Sequence, residues 1–95
     1  MDKAYVYIVK CSDKSFYTGY TNDLKGRLLK HNQGSGAKYT RGRRPVELVY
    51  FEELPGKSEA LSREFAIKKM KRSQKQKLIE TADQNELIEE IVGKE

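Results

Sequence analysis

The stretch YVYIVKCSDKSFYTGYTNDLKGRLLKH, from Tyr5 to His31, limits what this chain can fold into more than any other. Ala4 to Val9 is β-branched and aromatic almost throughout, the composition of a strand. Ser12-Asp13-Lys14-Ser15 is turn chemistry, and Phe16 to Tyr20 reads as the returning strand of an antiparallel hairpin. Strand side chains alternate faces, so the loop length decides where the tyrosines point. An odd loop sets Tyr7 and Tyr17 on one face, and an even loop sets them on opposite faces. A site shared by the two phenols therefore predicts an odd loop or a bulge.

A basic helix follows at once. Thr21-Asn22-Asp23 is a helix-start cluster with Asn22 as the expected cap. The helix is expected from Asp23 to Asn32. Leu24 and Leu28 fall on its inner face, with Arg27 and His31 beside them one turn apart. Gly26 weakens it by about 1 kcal/mol relative to alanine, so that position is exposed or admits something close. Asn32 to Arg44 reads as a loop with three glycines and four basic residues. Its Lys38, Arg41, Arg43 and Arg44 can follow phosphates, and Tyr39 can stack on a base. A solvated, disordered loop has the same composition.

Val46 to Glu52 reads as a third strand with Val46, Leu48, Tyr50 and Glu52 on one face. Ser58 is the expected cap of a second helix from Glu59 to Arg72, with Ala60, Leu61, Phe65 and Ile67 as its apolar arc. Glu64 falls inside that arc. A carboxylate aimed at the core is costly unless it is paired, metal-bound or facing a cleft. A plain Glu64–Lys68 pair along the helix is the structural alternative. Gln74 to Glu80 suggests a short helix. Asp83-x-x-Glu86 resembles a capping box and would start a last helix carrying Leu87, Ile88, Ile91 and Val92, ending at Gly93.

Ninety-five residues fit one domain. Net charge is +5, unevenly spread: residues 1–77 hold 18 of the 19 basic and 8 of the 14 acidic side chains. A basic body of net +10 suits a polyanionic partner, and the acidic remainder looks like a packing or interaction element. No run is long and apolar enough to span a membrane. The lone Cys11 reads as a small strand-end hydrophobe rather than a nucleophile. With no visible secretory signal, the reading is a cytoplasmic protein.

In this order the residues resemble the GIY-YIG nuclease superfamily, and within it the short single-domain bacterial members. The resemblance runs from about Ala4 to Arg72. Tyr5-Val6-Tyr7 stands for the first motif and Tyr17-Thr18-Gly19 for the second, with Tyr5 replacing a glycine and Thr18 an isoleucine. Arg27 matches the catalytic arginine, and His31 the histidine of a subset that includes structure-selective nucleases. Glu64 matches the metal-binding glutamate, and Gly42-Arg43-Arg44-Pro45 adds to the pattern. The resemblance implies an α+β fold, a small three-stranded antiparallel sheet flanked by helices, occupying residues 1–80, with 81–95 as an acidic helical tail. It also implies metal-dependent hydrolysis of phosphodiester bonds in DNA, in a structure-specific or repair and recombination setting. Tyr7, Tyr17, Arg27, His31 and Glu64 would be catalytic, with Glu64 holding one Mg²⁺ or Mn²⁺. Tyr7 would be general base with a relay through Tyr17 or His31, or His31 would be the base itself. Gly19, Tyr20, Lys38, Tyr39, Arg41, Arg43 and Arg44 would meet nucleic acid. Relatives often carry separate targeting domains, so a protein partner for targeting is expected. Two other readings are a non-cleaving nucleic-acid-binding module and an interaction protein that docks through its last helix.

Overall fold

The computed structural model describes residues 3–93; the outermost residues of the two expected segments, 1–2 and 94–95, lie outside it. Strands β1 (Ala4–Lys10) and β2 (Phe16–Thr21) form the expected hairpin, in which Tyr7 faces Gly19 and Val9 faces Tyr17. The connection, residues 11–15, is odd, so Tyr7 and Tyr17 share a face. Cys11 closes the turn by donating its N–H to the Ser15 carbonyl at 2.8 Å. The Asp13 carboxylate accepts from the Ser15 N–H at 3.0 Å and hydroxyl at 2.6 Å, and Lys14 takes a left-handed backbone, φ 74°.

Strand β3 (Glu47–Leu54) pairs antiparallel with β1, giving the order β2-β1-β3. Its register slips by one residue: Ile8 faces Tyr50, but Val9 faces Leu48. Val49 is the extra residue of a bulge. The bulge corrects the single-face expectation for this strand. Tyr50 joins Val6 and Ile8 on one side of the sheet, whereas Val46 and Leu48 join Tyr7 and Val9 on the other.

Each face therefore has its own core. Helix α1 (Leu24–Gln33) places Leu24 and Leu28 on the Tyr7 face. Asp23, not Asn22, caps it, accepting from the Gly26 N–H at 3.1 Å. A methyl on Gly26 would lie 2.3 Å from that carboxylate, so the close approach expected there is by the cap itself. The segment expected to be loop contains a helical turn, α2 (Lys38–Arg41). Helix α3 (Lys57–Lys68) packs on the opposite face through Ala60 and Ile67, two turns apart. It starts after Gly56 rather than Ser58 and stops before Arg72, which begins α4 (Arg72–Ala82). Leu61 and Phe65, expected in its apolar arc, are 42% and 64% exposed; half-buried Arg63 and Glu64 take the inward positions instead.

Asp83 does not start the last helix. It ends α4 in a left-handed conformation, φ 49°, and Gln84 stands before α5 (Asn85–Val92). Helix α5 packs Ile88, Ile91 and Val92 on the Tyr7 face. Gln84 also reaches the backbone of β3, accepting from the Phe51 N–H at 3.0 Å and donating to the Phe51 carbonyl at 2.9 Å. Asn32 makes the same two-bond pairing with Val46, at 2.7 and 3.1 Å. These two amides supply partners to backbone groups that an edge strand leaves open.

On the α3 face, Arg63 forks onto Glu52 at 2.8–3.0 Å, and Tyr50 donates its phenol to the same carboxylate. Burial alone would raise the pKa of Glu52, but the hydrogen bonds from Arg63 and Tyr50 hold it below its ordinary value. The buried Thr18 hydroxyl, among the described side chains, finds no hydrogen-bond partner. An orphaned buried hydroxyl costs about 1–3 kcal/mol. Thr18→Val keeps the shape and removes the polar atom, so urea unfolding should show a gain of about 1 kcal/mol. A loss of stability would mean that the hydroxyl has a partner.

Candidate active site

The hairpin register places the Tyr7 phenol directly over Gly19. A β-carbon there would lie 2.5 Å from the Tyr7 hydroxyl and 2.6 Å from the ring carbon bearing it. Glycine at position 19 is thus required by packing within the protein. That is a different reason from the close approach to substrate expected of it. Tyr7 is 2% exposed.

Helix α1 carries Arg27 and His31 to the same phenol. His31 Nε2 lies 2.8 Å from the Tyr7 hydroxyl, and Arg27 donates Nε–H to that oxygen at 3.4 Å. His31 is fully buried. On its other side, Nδ1 lies 2.8 Å from the Thr40 hydroxyl of α2. A β-carbon on Gly36 would lie 2.6 Å from Nδ1 and 2.8 Å from the His31 Cα, so the backbone before α2 comes close to the imidazole. Burial, with a smaller effect from Arg27, drives the His31 pKa from 6.5 to about 4. Burial also pushes Tyr7 up to about 12, against the opposing pull of Arg27. The resting site therefore holds a protonated phenol against a neutral imidazole.

Tyr17 sets its ring edge-on to His31 at 5.6 Å and stacks on Tyr39 at 5.8 Å. Arg43 lies 4.0 Å over the Tyr39 ring, donates to the Tyr39 carbonyl at 2.7 Å and pairs with Asp13 at 3.0 Å. Arg44 donates to the carbonyls of Arg41 and Asn32 at 3.0 and 3.3 Å. Tyr39, Arg43 and Arg44 are thus engaged in holding the α2 segment, which folds back on the sheet instead of standing free. Lys38 and Arg41 remain exposed. An open cleft of about 350 Å³, lined by Tyr20, Asn22, Gly26, Arg27 and Lys30 among others, meets this group through Arg27.

Glu64 comes from the other side of the sheet, on α3, which packs over the edge strand β2 as well as over β1. Its side chain is 17% exposed and pairs with Lys68 at 3.2 Å. Its negative charge is near enough to Tyr7 to contribute to the rise of the phenol's pKa, as does Tyr17. Among the described residues no group of three or more His, Cys, Asp or Glu side chains could hold a metal. A lone carboxylate fits Mg²⁺, which keeps several waters and takes one or two protein carboxylates plus phosphate oxygens. Thr40 is the site residue that sequence reasoning missed. Its one available signal was a hydroxyl residue inside a segment read as loop.

A three-stranded antiparallel sheet with two tyrosines, an arginine and a histidine gathered on one face, and a glutamate on the opposing helix, defines a class. The family model for the GIY-YIG catalytic domain matches residues 3–77, and the chain belongs to the GIY-YIG family. Within it, the chain is similar to a UPF0213 protein of Staphylococcus epidermidis, 61% identical over 84% of this chain and 98% of that protein. It is 63% identical to a UPF0213 protein of Clostridium perfringens over 79% of this chain and 81% of that one. Among solved structures, the solution NMR structure of a UPF0213 protein from Bacillus halodurans is 47% identical, covers 83% of this chain and 84% of its own, and superposes with a TM-score of 0.55. A solution structure from E. faecalis is 42% identical, with a TM-score of 0.57 over 85% and 90% of the two chains.

Two outcomes follow from this packing. Gly19→Ala forces the Tyr7 phenol off its position and should cost about 1–3 kcal/mol in urea unfolding; a neutral result would mean the ring has room. The depressed pKa of His31 also gives stability a direction with pH. Its contribution is complete above the ordinary value of 6.5 and is lost as pH falls toward 4, because the unfolded chain takes up the proton first. From pH 7.5 to 4.5 the loss from this group is roughly 2–3 kcal/mol. Chemical denaturation across that window, with the imidazole followed by NMR, checks it; a native His31 titrating near 6.5 would contradict it.

Proposed function

We propose that this chain is a metal-dependent endonuclease that hydrolyses phosphodiester bonds in nucleic acid, DNA in particular. The observation that carries the reading is the meeting of Tyr7, Arg27 and His31 in one hydrogen-bonded group. Tyr7 is the general base. A phenol near pKa 12 cannot wait as phenolate at neutral pH, so its proton must leave as the base works. Water gives a proton to the Tyr7 oxygen while the phenol's own proton passes to His31 Nε2. The new oxygen–phosphorus bond forms as the bond to the leaving oxygen breaks, and that oxygen takes a proton from solvent. The imidazolium then returns its proton through Tyr7 to water. His31 is buried, which favours the relay over direct attack by histidine on the substrate's water. Arg27, at the cleft wall, neutralises charge developing on the phosphoryl oxygens. Glu64 would hold a single Mg²⁺ or Mn²⁺, which supplies charge stabilisation at the leaving oxygen.

Lys30 in the cleft and the exposed Lys38 and Arg41 suit the flanking phosphates. No helix of the described residues is long and apolar enough to cross a membrane, in keeping with a cytoplasmic site of action. A protein partner for targeting and a repair or recombination role remain part of this proposal. A second reading, a non-cleaving nucleic-acid-binding module, has one observation in its favour: Glu64 is already paired with Lys68.

The experiment is cleavage of branched and single-stranded DNA with Mg²⁺ or Mn²⁺. Activity should be seen with metal and lost with chelator. Tyr7→Phe, Arg27→Ala and Glu64→Ala should each lower it by about 100-fold or more, with folding intact by circular dichroism. Salt-sensitive binding without cleavage, unchanged by Glu64→Ala, would overturn the nuclease reading in favour of the binding module.

A further inference from the structure

The hydrogen-bonded group contains more information than its distances. Thr40 is fully buried and its hydroxyl carries one proton. The oxygen lies 2.9 Å from the Ala37 carbonyl, which can only accept, and 2.8 Å from His31 Nδ1. With the hydroxyl proton directed to Ala37, a lone pair faces Nδ1, and Nδ1 must carry hydrogen. A neutral imidazole has one N–H, so Nε2 is bare and faces the Tyr7 hydroxyl at 2.8 Å. The phenol then donates to Nε2 while its oxygen accepts from Arg27. The opposite arrangement fails at the other end. If Nε2 carried the hydrogen, both Nε2 and Arg27 would donate to the Tyr7 oxygen. The phenol's own proton would then have no acceptor among its described contacts at a position only 2% exposed.

We propose that Thr40 is a positioning residue that holds His31 as the Nδ1–H tautomer and so fixes the direction in which the Tyr7 proton travels. The tautomer follows from the hydrogen bonds alone; its catalytic consequence rests on Tyr7 being the base of the nuclease proposed above. The α2 segment thereby acquires a role that its glycine-rich, basic composition conceals. Gly36 lets its backbone close on the imidazole, and Thr40, four residues on, sets the ring's proton. Thr40 meets neither water nor phosphate, and acts only through His31.

His31 is the sole histidine of the chain, so long-range ¹H–¹⁵N correlation spectra of the labelled, metal-free protein report one imidazole without ambiguity. At pH 7.5 the native protein should show a protonated Nδ1 and a bare Nε2. Thr40→Ser should keep that pattern. Thr40→Val, which cannot accept, should lose it and place hydrogen on Nε2 in part or in full. In the cleavage assay Thr40→Val should lower kcat by about 100-fold, with KM little changed and Thr40→Ser close to the native chain. An Nε2–H tautomer in the native protein, or an unchanged spectrum in folded Thr40→Val, would overturn the proposal. A native Nδ1–H tautomer in a protein that cleaves nothing would uphold the tautomer while removing the nuclease reading.

Discussion

The hydrogen bond between the Tyr7 phenol and the His31 imidazole ties the middle strand to the first helix, and the rest of the molecule is arranged around it. It is buried on both sides, so each ring must be fully partnered or carry a large desolvation cost. That requirement reaches outward. Gly19 is empty because the phenol lies across it, and Gly36 is empty because the imidazole lies against it. Thr40 is polar because Nδ1 needs a partner. Asn32, the residue after the histidine, turns its amide onto Val46 and holds the end of α1 to the entry of β3.

The same enclosure shapes the chemistry. Excluding water raises the phenol's pKa and lowers that of the imidazole, driving both groups neutral. Neither is a ready base alone. Placed 2.8 Å apart, they would, in the proposed mechanism, do together what each is prevented from doing by itself. In the proposed enzyme, Arg27 at the cleft wall would form the cationic side of the site and Glu64 on α3 the anionic side. On the proposed function, two faces of one sheet supply opposite charges to one place, while the bulge at Val49 lets β3 serve both cores.

Much of this was legible in the sequence because it depends on spacing. The side chains of Tyr7 and Tyr17 share a face because the turn has five residues, and Arg27 and His31 share one because they are four apart on a helix. Glu64 falls inside the buried arc of α3 for the same reason, between Ala60 and Ile67. What spacing could not reveal was anything set by packing between distant segments. The bulge at Val49 has no residue signature. Leu61 and Phe65 are apolar yet exposed, because α3 turns its Arg63 and Glu64 side inward. Asp83 has the chemistry of a helix start, yet it ends the helix before. Thr40 sits in a stretch whose composition reads as phosphate-gripping loop, while much of that stretch clasps a histidine.

The central claim is that Glu64 and the Tyr7 group address one cleft although they come from opposite sides of the sheet. Paramagnetic broadening by Mn²⁺, followed in amide and side-chain NMR spectra, measures this directly. Signals of Gly19, Arg27 and the Tyr17 ring should broaden together at low Mn²⁺ in the native protein and stay sharp in Glu64→Gln. Broadening confined to the acidic helix α5, or unchanged by Glu64→Gln, would contradict it.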